Sequence, residues 1–266
     1  METRYIDRDG GRLAYDDTGR GGRLIVLLPG AGDIRSEYRF VTADLLAGGA
    51  RVVSMDLRGH GDSSASWPGY GVAESAGDLV ALIEALDAGP ATVVATSFSP
   101  AAALWAAADR RDLFSGLVLV SPHLESAPAW QRVLLDVALR GRFAGRLWAS
   151  QYRSWHPAAP PADLETHAAE LAAMLDDPQR RHAVRRTLGA HRDGLAERIV
   201  GLGIPALVIM GGADSHFKDP AAEGASMARL VDGRLQMVPD AGHYPQVEFP
   251  GQVATAVVDF LAETVS

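Results

Sequence analysis

The sequence predicts an α/β fold: a mostly parallel sheet with helices on both faces and one helical insertion. Three observations lead there. Short runs that are apolar throughout, such as Leu24–Leu28 and Ala206–Met210, suit parallel strands covered on both faces. Stretches with helical periodicity lie between such runs, most clearly Val72 to Leu86, where Val72, Ser75, Leu79, Leu82, Ile83 and Leu86 share a face. One region, from about 124 to 199, has no strand pattern at all.

Taken in order, Tyr5-Ile6 and Leu13–Tyr15 flank Asp9-Gly10-Gly11, a hairpin signal. The strand Leu24–Leu28 runs into a glycine-rich loop, Pro29-Gly30-Ala31-Gly32-Asp33, and a helix is expected from Glu37 to Ala47, ending at Gly48-Gly49. Strands follow at Val52–Met55, Thr92–Ala95 and Leu117–Val120, separated by the helix at Val72–Leu86 and a helix beginning at Ala101. Later strands are Ala206–Met210 and Leu235–Val238, and the last helix is Val253–Leu261. Strands alternating with helices predict the layered arrangement. The stretch 124–199 reads as helices interrupted by Pro157–Pro161 and Asp177-Pro178, and holds Trp130, Trp148 and Trp155.

The chain has 266 residues, enough for one large α/β domain with a well-buried core. No segment approaches the run of about eighteen apolar residues that a membrane span needs. No apolar stretch follows Met1-Glu2-Thr3-Arg4, so no secretory signal is expected and a cytoplasmic protein is. With no cysteine, disulfides, thiolate metal sites and a cysteine nucleophile are excluded. The net charge is -8 with no basic run, which argues against nucleic acid and anionic membrane as partners.

The chemistry centres on Val93–Pro100, at a strand end where a helix begins. A hydroxyl on a sharp turn at the top of a sheet needs small residues two before and two after it; for Ser97 these are Ala95 and Ser99. The alternative is a serine that caps a helix. With Ser97 as nucleophile, the N–H of Phe98 would face a developing oxyanion. Ser99 is the rival nucleophile, but Pro100 follows it and has no N–H to donate. Two further loops contribute. The strand 206–210 leads through Gly211-Gly212-Ala213 to Asp214, and Asp240-Ala241-Gly242 leads to His243. Alone, Asp214 reads as an Asx turn and His243 as a surface-loop histidine. Together Ser97, Asp214 and His243 have the order and strand-end placement of a nucleophile–acid–base triad. The Gly30-Ala31-Gly32 loop offers the N–H of Ala31 as a second oxyanion donor. Its GxG, with Arg35 where a third glycine would stand, does not make a dinucleotide fingerprint, and no phosphate-binding GxxxxGK[ST] is present.

At these residues the chain resembles the α/β-hydrolase superfamily over nearly its full length. The matching stretches are Leu27–Gly32, Asp56–Ser63, Ala95–Ser99, Gly211–Asp214 and Asp240–Pro245. Asp56–Ser63 is typical of the esterase, lactonase and cofactor-free haloperoxidase-like members, where it is a structural loop; His60 therefore receives no catalytic role. The resemblance implies the α/β-hydrolase fold, with a core at 1–123 and 200–266 and a helical cap at 124–199 over the active site. Some relatives draw the acid from after the preceding strand, which makes Glu125 the reserve for Asp214. Three departures stand out: Pro29 where relatives usually have histidine, Ala95 and Ser99 in place of glycines, and Phe98 where many haloperoxidase-like members have methionine. A serine at position 97 argues against epoxide hydrolases and haloalkane dehalogenases, which use aspartate there.

The expected activity is hydrolysis of an ester, lactone or related acyl bond in a small molecule, with no metal and no organic cofactor. Carbon–carbon bond hydrolysis or a lyase step on the same triad, and a non-catalytic ligand-binding member of the fold, are the alternatives. Candidate substrate contacts are Asp33 and Arg35 at the pocket mouth and Trp130, Trp148 and Trp155 from the insertion. Their competing readings are a solvated loop pair and buried core aromatics. Oligomeric state has no signal in the sequence.

Overall fold

The computed structural model describes residues 2–19, 21–126 and 128–264. Strands β1 (Thr3–Arg8) and β2 (Gly11–Asp17) form the hairpin, with the turn at Asp9-Gly10. Then come β3 (Leu24–Leu28), α1 (Thr42–Ala47), β4 (Arg51–Met55), α2 (Val72–Leu86), β5 (Ala91–Thr96), α3 (Ser99–Asp109) and β6 (Phe114–Val120). The next stretch carries α4 (Ala129–Ala138), α5 (Ala144–Ser154), α6 (Leu164–Asp176), α7 (Pro178–Leu188) and α8 (Leu195–Arg198), with no strand among its described residues. The chain closes with β7 (Ala206–Gly211), α9 (Pro220–Leu230), β8 (Arg234–Val238), α10 (Pro245–Glu248) and α11 (Pro250–Glu263).

The eight strands make one sheet in the order β1-β2-β4-β3-β5-β6-β7-β8. β1, β2 and β4 pair antiparallel, and all pairs from β4 to β8 are parallel. The apolar runs are continuous because both faces are covered. In β3, Leu24, Val26 and Leu28 pack into the cluster that includes α2 and α3, while Ile25 and Leu27 pack into the one that includes α1 and α11. A third cluster joins Trp148, Tyr152 and Trp155 to Leu171 and to Tyr244 and Val247, and so fastens the helices of 124–199 to α10 and the turn before it.

One expected helix is shorter than its sequence suggests. Instead of a helix from Glu37 to Ala47 there is a single 3-10 turn, Arg35–Tyr38, and then α1. Glu37 and Tyr38 are drawn into the interior: the Tyr38 hydroxyl bonds the Leu28 carbonyl at 2.9 Å and Thr96 Oγ1 at 2.6 Å, and Glu37 Oε2 accepts from the Gly30 N–H at 2.7 Å. Side chains anchored that way hold the backbone out of a regular helix. α4 is unusual in another way. None of its residues is buried, and Trp130, Val133, Leu134 and Val137 form an apolar stripe facing outward. No helix among the described residues is long and apolar enough to cross a membrane.

Candidate active site

Ser97 sits just beyond β5 with φ of 62°, in the left-handed region that side chains avoid. Its backbone is pinned on both sides: its N–H donates to the Val120 carbonyl and its carbonyl accepts from the His123 N–H, each at 2.9 Å. Ala95 and Ser99, fully buried, flank it. The hydroxyl of Ser99 donates to the Pro29 carbonyl at 2.5 Å. Two of the three departures from the family pattern thus meet each other: the serine that replaces a glycine holds the loop whose histidine is a proline.

That loop is tied down group by group. The Gly30 N–H donates to Glu37, the Gly32 N–H to His60 Nε2 at 3.0 Å, and the Asp33 N–H to the Gly30 carbonyl at 3.1 Å. His60 is buried and accepts at Nε2, so its Nδ1 carries the proton and donates to the Arg58 carbonyl at 3.0 Å. Burial pulls its pKa down to about 4, which keeps it the neutral acceptor this bond requires. Among the described residues the Ala31 N–H has no partner, and neither has the Phe98 N–H. Glu37, which anchors the loop from below, also accepts from Gln246 Nε2 at 2.7 Å. Burial, reinforced by the nearby Asp33 carboxylate, pushes its carboxyl well above the usual range.

Asp214 and His243 come from adjacent loops that touch backbone to backbone. A Cβ on Gly211 would lie 2.0 Å from the Gly242 carbonyl oxygen, and the Ala213 N–H reaches the Ala241 carbonyl at 2.8 Å. His243 Nδ1 bonds Asp214 Oδ2 at 2.8 Å, leaving Nε2 for a partner on the other side of the ring. Burial alone would raise Asp214, but the imidazoles of His243 and His216 override it and hold the carboxyl well below its ordinary range. Burial, opposed by the Asp214 carboxylate, holds His243 below its ordinary value, so the ring is neutral at neutral pH. Glu125 borders the same cavity, but the carboxylate at His243 Nδ1 is that of Asp214.

Ser97, His243, Ala31 and Phe98 share a cavity of about 730 Å³. Its far wall comes from 124–199: Gln131 and Leu135 of α4, Leu147 and Trp148 of α5, then Trp155 and Leu188. Gly32 lets that wall close in, for a Cβ there would meet the Trp148 ring at 2.1 Å, and Trp148 Nε1 donates to the Gly32 carbonyl at 2.9 Å. Trp148 and Trp155 therefore border the cavity. The other three expected substrate contacts do not. Trp130 is 66% exposed on the outward stripe of α4, one residue around the helix from the inward Gln131. Asp33 is fully buried and clamps α6, accepting from His167 Nε2 at 2.7 Å. Arg35 is taken up by carboxylates, pairing with Asp56, with Asp16 at 3.0 Å and with Asp62 at 2.8 Å.

Several residues at the cavity were not foreseen. His216 places its Nδ1 2.9 Å from Asp214 Oδ1 while its backbone N–H also bonds that oxygen at 3.0 Å, so Asp214 makes an Asx turn and binds two imidazoles at once. A histidine two residues after the aspartate was the available signal. His123 lies beside them, and one ring nitrogen each of His123, His216 and His243 falls within 4.8 Å of the other two. Such a set has the donor chemistry for a divalent transition metal. Arg192 also borders the cavity.

Residues 25–256 match the model of the alpha/beta hydrolase family. A Mycobacterium tuberculosis protein, provisionally named non-heme bromoperoxidase BpoC, is 28% identical over 268 residues, which span 94% of this chain and 97% of that protein. The crystal structure of the enol-lactonase from Burkholderia xenovorans LB400 superposes with a TM-score of 0.82 at 25% identity, covering 97% of this chain and all of the other. A thermophilic esterase from Thermogutta terrifontis superposes over the whole of both chains with a TM-score of 0.83; at 23% identity that likeness speaks to the fold.

Proposed function

This chain belongs to the alpha/beta hydrolase family, and on that premise we propose that it is a serine hydrolase acting on an ester, lactone or related acyl bond of a small molecule. The observation that carries the reading is the convergence on one cavity of Ser97, held at φ 62°, and His243, anchored through Nδ1 by Asp214. Ser97 Oγ attacks the acyl carbonyl as His243 Nε2 takes its proton. Asp214 keeps the imidazole in the right tautomer and stabilises its charged form. The Ala31 and Phe98 N–H groups, without partners of their own among the described residues, receive the oxyanion. His243 then protonates the leaving group, and water attacks the acyl-enzyme in a reversal of the same proton transfers.

In this reading residues 124–199 act as a cap on a core formed by 1–123 and 200–266. Its support is the cavity wall they supply and the bonds that bind them to the oxyanion loop, Trp148 to Gly32 and His167 to Asp33. A cavity of about 730 Å³ suits a small-molecule substrate. The test is a panel of aryl esters, alkyl esters and lactones assayed against wild type and Ser97→Ala in parallel, with product identification. Hydrolysis by the wild type that Ser97→Ala loses supports the proposal. Equal rates in the two, on contaminant-free protein, overturn it.

A further inference from the structure

Arg192 lies in the turn between α7 and α8 and is only 9% exposed. It borders the cavity that holds Ser97. Its Nη1 donates to the Ala190 carbonyl of its own turn at 3.0 Å, while its Nε is buried without a partner. Nη2 makes no hydrogen bond among the described residues, and unlike Nε it is not among the fully buried atoms, so it is the end of the fork that a ligand in the cavity can reach. Among the described residues, the other buried arginine, Arg58, and the half-buried Arg35 are both paired. Arg58 holds Asp78 through Nε and Nη2, each at 2.6 Å, and Arg35 has three carboxylates around it. Among the described residues Arg192 has no carboxylate within ion-pair distance, and burial is the one influence on its pKa, drawing it down to about 10. It is a cation at neutral pH.

A desolvated cation without a counter-ion costs stability, and the single carbonyl bond and the contact with the Phe98 ring offset only part of that cost. A guanidinium N–H can give a charge-assisted hydrogen bond to a carboxylate oxygen, and the positive charge behind it adds to the attraction. The location adds to the argument. The Arg192 guanidinium stands 5.4 Å from the centroid of the Phe98 ring, and Phe98 directly follows Ser97. An anion held there belongs to the molecule that occupies the cavity.

We propose that Arg192 binds a carboxylate on the substrate, so that the acyl compounds this chain selects are anionic ones. The selectivity rests on the hydrolase reading above; the anion site itself does not. The test uses a matched pair of substrates, the mono-4-nitrophenyl ester of glutaric acid and its methyl-capped neutral counterpart, with wild type, Arg192→Met and Arg192→Lys. The wild type should favour the anionic ester in kcat/KM. Arg192→Met should reduce that preference by roughly 100-fold, chiefly through KM, and Arg192→Lys should restore part of it. Arg192→Met should melt no lower than wild type, because an unpaired buried charge has been replaced by an apolar side chain of similar length. Free glutarate binding, measured by calorimetry, needs no turnover, and it should be lost in Arg192→Met. If neither ester is cleaved but glutarate binding is still lost in the variant, the hydrolase reading fails and the anion site stands. An unchanged preference, glutarate binding that is equal or absent in both proteins, or a lower melting temperature with unchanged preference would each overturn the proposal.

Discussion

Replacing Asp214 by asparagine isolates what its charge does. The carboxylate now accepts from two imidazoles, His243 Nδ1 at 2.8 Å and His216 Nδ1 at 2.9 Å. An amide has one acceptor oxygen and cannot serve both, so one ring must turn or change tautomer. The electrostatic part follows from the distance. With about 4 Å between charge centres and an effective dielectric near 20, the attraction between carboxylate and imidazolium is about 4 kcal/mol. It exists only when His243 has taken the proton, so its loss falls on the transition state and lowers kcat by about 10³-fold. A wrong tautomer brings the total toward about 10⁴-fold. The assay is hydrolysis of whichever ester or lactone the wild type cleaves, at pH 8, with circular dichroism to show that the variant is folded. A folded Asp214→Asn within tenfold of wild type would refute the reasoning.

Three further outcomes are expected. Burial holds His243 below its ordinary value, and a base must be neutral to accept a proton; kcat/KM should therefore fall with acid through a midpoint below pH 6.5, and a midpoint at or above pH 7 in a pH–rate profile would contradict this. Ser99→Ala strips the buried Pro29 carbonyl of its donor and should cost about 1–3 kcal/mol in denaturant unfolding, while peptide mapping still finds a fluorophosphonate adduct on Ser97. Gly32→Ala puts a methyl group 2.1 Å from the Trp148 ring at a φ of 85°, so a loss of about 2–4 kcal/mol and a shifted tryptophan emission are expected; an unchanged spectrum and stability would show that the loop and Trp148 are not in contact.

What the sequence disclosed and what it hid divide along physical lines. The strands were legible because parallel strands covered on both faces are apolar at every position, as Leu24–Leu28 are. Helix α2 was legible because one face is buried and the other is not. Asp214 and His243 could be picked out because each follows a strand end, where loops converge whatever their sequence separation. The stretch Glu37–Ala47 misled because its periodicity suits a helix, while the pull of Glu37 and Tyr38 on Gly30, Leu28 and Thr96 is a tertiary effect. Asp33 and Arg35 read as pocket-mouth contacts because charge in a glycine loop is usually accessible; their partners, His167 and the carboxylates of Asp16, Asp56 and Asp62, are remote or anonymous in the chain. Arg192 was invisible for the opposite reason. Set beside His191 and Asp193, it reads as ordinary surface charge, and nothing local announces that its guanidinium is enclosed.

The backbone of Ser97 sets folding against chemistry. An L-residue in the left-handed region carries roughly 1–2 kcal/mol of conformational cost that glycine escapes. Its hydroxyl makes no hydrogen bond among the described residues that would offset this. Ser97→Gly should thus unfold at higher denaturant than the wild type while losing the proposed nucleophile. A population of variants screened for heat resistance alone would drift toward glycine at this position and toward silence in any activity assay. On the proposed role of Ser97, only selection for turnover would keep serine there, which makes position 97 a place to read whether a homologous chain is under selection as an enzyme or merely as a fold.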